Sequence, residues 1–230
     1  MISEAATISV DPATNLKAVL ARIAAARTAA IAPAEQTRLI AVSKGHEPER
    51  ILPVLEAGHR IFGENRVQEA SRKWPELRAR FSGVELHLIG PLQTNKVREA
   101  LVLFDAIHSL DRPKLAEALK AEIEKTGKIP QLFVEVNIGE EPQKAGIAPK
   151  ETVAFVRHCR DTLHLPVLGL MCIPPTDQEP ALHFALLKNI ARECGLVYLS
   201  MGMSDDFEMA IRFGATHVRV GTAIFGERAK

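Results

Sequence analysis

Short apolar runs alternate with segments of helical periodicity eight times along this chain. The first run, Leu39 to Val42, leads directly into a serine and a lysine. A short apolar run bounded by turn residues predicts a parallel strand that is buried on both faces. Gly58 and Gly127 follow two of the helical segments, as is typical of helix C-termini. Strands are predicted at 39–43, 60–63, 85–89, 105–109, 131–137, 167–171, 196–200 and 217–220.

This alternation predicts an α/β protein that folds as one closed (β/α)8 barrel of the TIM type. An open, doubly wound sheet is the alternative. No linker, low-complexity tract or block of like charge divides the chain, so we expect residues 1–230 to form a single domain. Pro12 interrupts the first pattern, and we expect residues 1–13 to be a flexible N-terminal segment. Helices are predicted at 15–30, 49–57, 67–77, 94–103, 114–125, 150–162, 179–193 and 206–213, followed by a short final turn.

Charge and cysteine content exclude several classes of protein. The 29 basic and 28 acidic residues nearly cancel, so neither nucleic acid nor a membrane surface is an expected partner. No apolar stretch approaches the roughly 18 residues of a membrane span, and the N-terminus lacks the pattern of a signal peptide. Cys159, Cys172 and Cys194 are too far apart for a metal-binding motif, and we interpret them as reduced thiols of a cytoplasmic protein.

Lys44 lies at the point where the first predicted strand leaves the core. Ligands of parallel α/β proteins bind at the carboxyl ends of the strands. Lys44 is therefore a candidate Schiff-base lysine, which needs a pKa lowered from the free value of about 10.4 by desolvation or a nearby cation. The alternative is an ordinary lysine whose ammonium group stays in water.

Several predicted strands carry polar residues where a doubly buried strand is expected to be apolar. Arg219 stands between two valines of the last strand and should therefore point into the barrel. The same alternation turns Glu135 and Asn137 inward, and His87 and His108 lie on two further strands. Buried charges are costly unless partnered and cluster at functional sites, which favours a ligand site. The alternative is a layer of paired polar groups that only fills the barrel.

Glycine-rich loops follow the last two predicted strands. The first loop contains Ser200, and the second begins with Gly221 and Thr222. In barrels these two loops often bind a phosphate group, because glycines let the backbone approach and hydroxyl groups donate hydrogen bonds. We therefore predict a phosphate site on these residues. The alternative role of the first loop is to cap the next helix through Ser204 or Asp205.

A series of short motifs follows one another in a fixed order along the chain. They are Ala41-Val42-Ser43-Lys44, Gly63-Glu64-Asn65, Gln68-Glu69, Ile89-Gly90, Leu92-Gln93, Asn95-Lys96, Ser109-Leu110-Asp111, Val136-Asn137-Ile138, Gly169-Leu170-Met171, Ser200-Met201-Gly202-Met203-Ser204 and Arg219-Val220-Gly221-Thr222-Ala223-Ile224-Phe225-Gly226. Over about residues 15–228 these motifs resemble the pyridoxal phosphate homeostasis protein family (YggS/PROSC-like). The sequence departs from the family pattern at Gly45-His46, where Thr-Lys is usual, and at Arg66, where a tyrosine is common. We expect both departures to affect the rim of the site only.

The resemblance implies a barrel like the N-terminal domain of alanine racemase. It implies that pyridoxal 5′-phosphate is bound to Lys44 as an internal aldimine. It also implies that the phosphate lies on Ser200, Gly221 and Thr222, and that Arg219 faces the pyridine nitrogen.

Further expectations follow from the same resemblance. Asn65 and Met171 are implied to line the pocket of the cofactor ring. The implied role is cytoplasmic vitamin B6 homeostasis, in which the protein holds the cofactor and buffers it or delivers it to apo forms of pyridoxal phosphate enzymes. No residue is assigned as catalytic or as a metal ligand, and we expect a monomer.

Two enzymatic functions are the alternatives. An amino-acid racemase of similar fold needs a second domain and a tyrosine base, whereas Tyr198 lies within a predicted strand and only residues 221–230 follow the last one. A Schiff-base aldolase acting on a phosphorylated sugar would use the same lysine and phosphate loops. An arginine cannot accept a proton, so Arg219 would keep the pyridine nitrogen unprotonated and weaken the cofactor as an electron sink. We therefore expect retention of the cofactor without appreciable turnover.

Overall fold

The computed structural model describes residues 11–227, which form a closed barrel of eight parallel strands. Each strand pairs with the next one in sequence, and β8 pairs with β1 to close the barrel. The predicted (β/α)8 barrel is confirmed, and the open sheet is excluded. The strands are β1 (Arg38–Val42), β2 (Ile61–Glu64), β3 (Glu85–Leu88), β4 (Ala106–Leu110), β5 (Gln131–Val136), β6 (Val167–Cys172), β7 (Tyr198–Ser200) and β8 (His217–Val220).

Helices connect the strands at nearly the predicted positions. A 3₁₀ turn, Thr94–Lys96, precedes α4, and a π-helical turn, His158–Thr162, follows α6. Between residues 11 and 227, no helix is both long and apolar enough to pass through a membrane. The helices are α1 (Pro12–Ala29), α2 (Pro48–Glu56), α3 (Val67–Arg80), α4 (Val97–Leu103), α5 (Pro113–Thr126), α6 (Pro149–Arg157), α7 (Pro180–Glu193), α8 (Phe207–Arg212) and α9 (Thr222–Phe225).

The first helix begins earlier than the sequence pattern predicts. Pro12 is its first residue, and the Asp11 carboxylate accepts hydrogen bonds from the amides of Ala13 and Thr14 at 3.1 and 2.9 Å. Proline suits this position because the first helical amide has no partner within the helix. The expectation of flexibility is therefore wrong for residues 12 and 13, and residues 1–10 lie outside the described part of the chain.

Strand β7 is shorter than predicted, because its first two expected residues belong to the preceding connection. The amide of Leu196 donates to the carbonyl of Ala191 in α7 at 2.8 Å, so this residue is still attached to the end of that helix. The strand begins only at Tyr198. The carboxyl end of β7, where the loop with Ser204 starts, is as predicted.

Helix α1 precedes the strand–helix repeats and anchors the other end of the chain. It packs against α2, α8 and α9, with Leu16, Val19 and Ile23 on its buried face. The buried Asn15 side chain donates from Nδ2 to the carbonyl oxygen of Ile224 in α9 at 3.0 Å. The short helix after β8, beside one of the predicted phosphate loops, is thereby fixed to the rest of the fold.

We expect Asn15→Ala to lower the free energy of unfolding by about 1–3 kcal/mol, because the buried carbonyl of Ile224 loses this donor. Lys17→Ala changes an exposed position of the same helix and should alter stability by less than about 0.5 kcal/mol. Urea unfolding of both variants measures the difference. Equal effects of the two substitutions would contradict the anchoring role of Asn15.

Candidate functional site

A cavity of about 210 Å³ opens at the carboxyl ends of the strands, between β1 and β8. Five of the seven cofactor-binding residues predicted from the sequence line it, namely Lys44, Asn65, Arg219, Gly221 and Thr222. Residues that lie on or after three different strands, β1, β2 and β8, therefore converge on one small space.

A larger cavity of about 1110 Å³ lies at the opposite end of the barrel. Arg38, Gln131, Tyr198 and His217, which begin four of the strands, are part of its lining. Ligand sites of (β/α)8 proteins lie at the carboxyl ends of the strands, whereas the opposite face serves stability. The smaller cavity is therefore the candidate site, despite its smaller volume.

Charged side chains of α3 fix the backbone on both sides of Lys44. Lys73 Nζ donates to the carbonyl oxygen of Ser43 at 3.0 Å and to a second carbonyl, two residues beyond Lys44, at 3.1 Å. The amide of Gly45 donates to Glu69 Oε1 at 2.6 Å. Lys44 itself is half-buried and lines the cavity. Its side chain therefore projects from a turn whose backbone is held in place.

Lys73 belongs to a buried ionic cluster beneath this turn. Its Nζ lies 2.8 Å from Glu64 Oε1 and 2.8 Å from Glu69 Oε1, and the side chains of Lys73 and Glu64 are 1% and 0% exposed. Ser43 Oγ and Trp74 Nε1 also donate to Glu64, at 2.7 and 3.0 Å. Burial raises the pKa of Glu64, whereas the Lys73 ammonium and these hydrogen bonds act to lower it. The turn after β1 thus depends on a buried cation.

We expect Lys73→Met to lower the free energy of unfolding by about 3–5 kcal/mol, because the buried Glu64 carboxylate loses its cation. Arg72→Met on the same helix removes an exposed ion pair with Glu47 and should cost less than about 1 kcal/mol. Denaturant unfolding measures both values. A loss of the same size in the two variants would show that the cluster does not stabilise the fold.

Arg219 enters the barrel from β8, as the alternation of side chains predicts, and is only 4% exposed. Its Nη1 donates to Ser200 Oγ at 2.8 Å, and its Nη2 donates to the carbonyl oxygen of Cys172 at 2.9 Å. Burial lowers the pKa of the guanidinium. An arginine nevertheless stays protonated in proteins, so the cavity has a buried, permanently charged cation in its wall.

The two polar residues predicted to point inward from β5 behave differently. Burial, together with the Asp111 carboxyl group, raises the pKa of Glu135 to about 7, and Arg219 opposes this effect. Asn137 lies beyond the end of the strand, where its Nδ2 donates to the carbonyl of Glu141 at 2.8 Å and its Oδ1 accepts from the Glu141 amide at 3.1 Å. The Asn137 side chain therefore holds the loop after β5 together, which the alternation did not predict.

Ser200 and Met171, the other two predicted cofactor residues, are buried in the barrel and do not line the cavity. They are register partners in the pairing of β6 with β7. The Ser200 hydroxyl lies 2.8 Å from His108 Nδ1 and accepts from Arg219. Their assignment to the cofactor remains a prediction, and the Ser200 hydroxyl has two partners within the barrel.

Ser204 and Asp205 line the cavity, and the alternative that one of them is the N-cap of the next helix is wrong. The N-cap of α8 is Asp206, whose Oδ1 accepts from the Met203 amide at 2.6 Å. The signal for this arrangement is Gly202, which has a φ of 91° and redirects the chain immediately before these residues. The loop after β7 thus presents Ser204 as an additional hydroxyl group.

The departures from the family pattern lie around the rim of the cavity. Gly45 and Arg66 are exposed, and Gly45 has a left-handed backbone with a φ of 71°, which glycine adopts without strain. His46 comes closer than expected, because it lines the cavity and its ring centroid is 5.3 Å from that of Phe225.

Within residues 11–227, no group of three or more His, Cys, Asp or Glu side chains is arranged to hold a metal ion.

Relatives of known sequence share almost the whole chain. Residues 14–229 match the family described as alanine racemase, N-terminal domain. A pyridoxal phosphate homeostasis protein of Haemophilus influenzae is 42% identical over 202 residues, which are 83% of this chain and 85% of the relative.

Solved structures agree with this match. PipY of Synechococcus elongatus, in a structure described as having PLP bound, superposes with a TM-score of 0.80 at 35% identity and covers 94% of this chain and 100% of its own. Alanine racemase of Acinetobacter baumannii superposes with a TM-score of 0.70 at 14% identity, over 92% of this chain and 61% of the racemase, and so shares the fold alone.

A closed parallel barrel with a lysine after β1, beside a small cavity at the carboxyl ends of the strands, defines a domain of the alanine racemase N-terminal class. Relatives at 36–42% identity, which cover 83–95% of this chain, carry one common description. The chain belongs to the family of pyridoxal phosphate homeostasis proteins.

Proposed function

We propose that this protein binds pyridoxal 5′-phosphate and serves vitamin B6 homeostasis by holding, buffering and delivering the cofactor. The observation that carries the proposal is the position of Lys44 at a cavity that also contains Arg219 and Thr222. Further support comes from PipY, a relative at 35% identity whose structure is described with PLP bound. In this proposal Lys44 Nζ binds the aldehyde carbon of the cofactor covalently, with loss of water.

The residues around the cavity fit each part of such a cofactor. Lys44 supplies the primary amine that an aldehyde needs, and Arg219 supplies a donor for a pyridine nitrogen. Thr222 and Ser204 supply neutral hydroxyl donors for a phosphate group. Asn65 adds an amide from the end of β2. In barrels of this type a phosphate often lies between the loops after the seventh and eighth strands, which is where both hydroxyl residues are found.

Gly221 fits the phosphate role for a reason of space. A Cβ atom at this position would lie 3.1 Å from the carbonyl oxygen and 3.3 Å from the Cβ atom of Val42. A side chain would therefore press against the end of β1, two residues before the lysine. Glycine lets the backbone of the last loop approach both β1 and the ligand.

The charge of Arg219 argues against rapid amino-acid chemistry. Pyridoxal phosphate acts as an electron sink in carbanion chemistry, and this role is strongest when the pyridine nitrogen is protonated. A guanidinium group donates hydrogen bonds and cannot accept a proton, so a pyridine nitrogen opposite Arg219 stays unprotonated. We therefore propose a holding role and not catalysis.

The racemase alternative lacks a tyrosine base at the cavity that contains Lys44. Tyr198 is the sole tyrosine of the sequence, begins β7, and belongs to the lining of the larger cavity at the opposite end of the barrel from Lys44.

The aldolase alternative would use the same lysine without a bound pyridine ring. It predicts a colourless protein, whereas a cofactor-holding protein absorbs visible light as isolated.

Delivery needs access to the covalent link. Lys44 is half-buried and the adjacent Gly45 is exposed, so a small amine from solution can reach this side of the cavity. We propose apo forms of pyridoxal phosphate enzymes as recipients.

A cytoplasmic location is proposed as well, because Cys159 and Cys172 are buried thiols without a disulfide, as is common in a reducing compartment.

We expect Lys44→Ala to abolish the visible absorbance of the isolated protein and its covalent labelling after borohydride reduction. Lys96→Ala removes an exposed ion pair with Glu99 and should change neither property. Absorbance spectra and peptide mapping of the reduced protein measure both effects. Recovery of the label on Lys96 or Lys144 would show that the proposed lysine is wrong.

We also expect no appreciable exchange of amino-acid α-protons. The loaded protein is incubated with L- and D-alanine in deuterium oxide, and exchange is followed by NMR. Arg219→Glu is measured alongside, because a carboxylate can hold a protonated pyridine nitrogen and should raise the rate if the variant binds the cofactor. Stereospecific exchange by the wild type at about 1 s⁻¹ or faster would make the protein an enzyme.

A further inference from the structure

Five side chains form a continuous hydrogen-bonded chain through the barrel, which we call the interior chain. Glu85 Oε1 lies 2.8 Å from His87 Nε2, and His87 Nδ1 lies 2.8 Å from His108 Nε2. His108 Nδ1 lies 2.8 Å from Ser200 Oγ, which accepts from Arg219 Nη1 at 2.8 Å. The three middle side chains are completely buried. Residues of β3, β4, β7 and β8 are thereby linked across the interior.

The two ends of the interior chain restrict where its protons lie. Arg219 has donors only. Burial alone would raise the pKa of Glu85, but Arg38 donates to both of its oxygens and acts to lower the pKa, so this end is a carboxylate that only accepts. Arg219 is therefore the donor in its hydrogen bond to Ser200, and His87 is the donor in its hydrogen bond to Glu85.

The two imidazoles between these ends are best satisfied as neutral groups. Arg38 already donates to both carboxylate oxygens of Glu85. An imidazolium at His87 would add a fully buried positive charge near Arg38, with the ring of His217 centred 6.0 Å away. Burial also lowers the pKa of His108 well below its ordinary value. When both rings are neutral, donors and acceptors match along the interior chain only if each histidine carries its proton on Nε2.

With neutral imidazoles, every contact of the interior chain has one donor and one acceptor. Ser200 accepts from Arg219 and donates its hydroxyl proton to His108 Nδ1. His108 Nε2–H donates to His87 Nδ1, and His87 Nε2–H donates to Glu85. The Ser200 hydroxyl carries a single proton, so no donor remains on this side chain for an anion.

We propose that Ser200 is a positioning residue that fixes the Arg219 guanidinium through the interior chain and is not a ligand of the cofactor phosphate. The identity of the cofactor rests on the proposed function, whereas the proton positions do not. Ser200 Oγ and the carbonyl oxygen of Cys172 each accept from one terminal nitrogen of Arg219, so both ends of the guanidinium are held. Ser204 and Thr222, which line the cavity, remain for the phosphate.

The first test uses the cofactor-free wild type and is independent of any bound ligand. Side-chain ¹⁵N NMR of protein labelled at histidine distinguishes the two neutral tautomers from the imidazolium. We expect His87 and His108 both as Nε2–H tautomers at neutral pH. An imidazolium at His87 together with an Nδ1–H tautomer at His108 would reverse the donor and acceptor roles between His87 and Ser200. The Ser200 hydroxyl proton would then be available to a phosphate, and the proposal would be overturned.

The second test compares two ligands that differ only in the phosphate group. Dissociation constants of pyridoxal 5′-phosphate and pyridoxal are measured for the wild type, Ser200→Ala and Thr222→Ala. Thr222→Ala should weaken binding of the phosphorylated ligand about tenfold or more and leave pyridoxal unchanged. Ser200→Ala should weaken both ligands by the same factor and shift the absorbance of the bound ring, because Arg219 loses its position. Ser200→Thr, which keeps the hydroxyl, should restore both properties.

The outcomes separate the inference from the function on which part of it rests. A loss confined to the phosphorylated ligand in Ser200→Ala would make Ser200 a phosphate ligand and overturn the proposal. Failure of the wild type to bind either ligand would refute the proposed function. The histidine tautomers would still show the proton positions of the interior chain. The NMR measurement needs no variant, so it decides the proton positions even where Ser200→Ala does not fold.

Discussion

The hydrogen bonds between β1 and β8 close the barrel, and the candidate site depends on that closure. Ile40 on β1 is the register partner of Arg219 on β8, so Lys44 emerges beside the loop that begins with Gly221. The two halves of the cavity come from opposite ends of the sequence and meet only because the last strand returns to the first. Asn15 secures this meeting from outside, because it ties α1 to the helix that follows β8.

Buried charge is the second constraint, and the fold meets it with partners at two places beside the cavity. Beneath the Lys44 turn, Lys73 compensates Glu64 and at the same time holds backbone carbonyls, so one ammonium group links stability to the position of the lysine. Across the barrel, the terminal nitrogens of Arg219 donate to neutral acceptors, and the carboxyl groups of Asp206 and Glu135 interact with its charge. These hydrogen bonds fix the guanidinium, which stays protonated at the wall of the cavity.

The repeat pattern was sufficient to predict the strands, the closure and the inward direction of Arg219, because all three follow from alternation of side chains along buried strands. Local hydrogen bonds decided the details that the pattern missed. Pro12 starts a helix because Asp11 caps it, and residue 137 closes a loop because the strand ends one residue earlier. The different environments of Ser200 and Ser204 could not be predicted from the sequence, because the two residues lie only four positions apart. Ser200 contacts His108 inside the barrel, whereas Ser204 lines the cavity, and tertiary contacts determine this difference.

The composition of the cavity wall bears on whether a bound phosphate can leave again. The hydroxyls of Ser204 and Thr222 are neutral donors, and Asp205 lines the same cavity with a carboxyl group that repels an anion. In the proposed function such a site would bind a phosphate by directed hydrogen bonds and would offset part of that attraction by like charge. In the proposed function the covalent link at Lys44 would supply retention, and an amine that displaces the lysine would remove it. Retention by a reversible bond, with neutral donors at the phosphate, would suit a protein that gives up its cofactor as well as holding it.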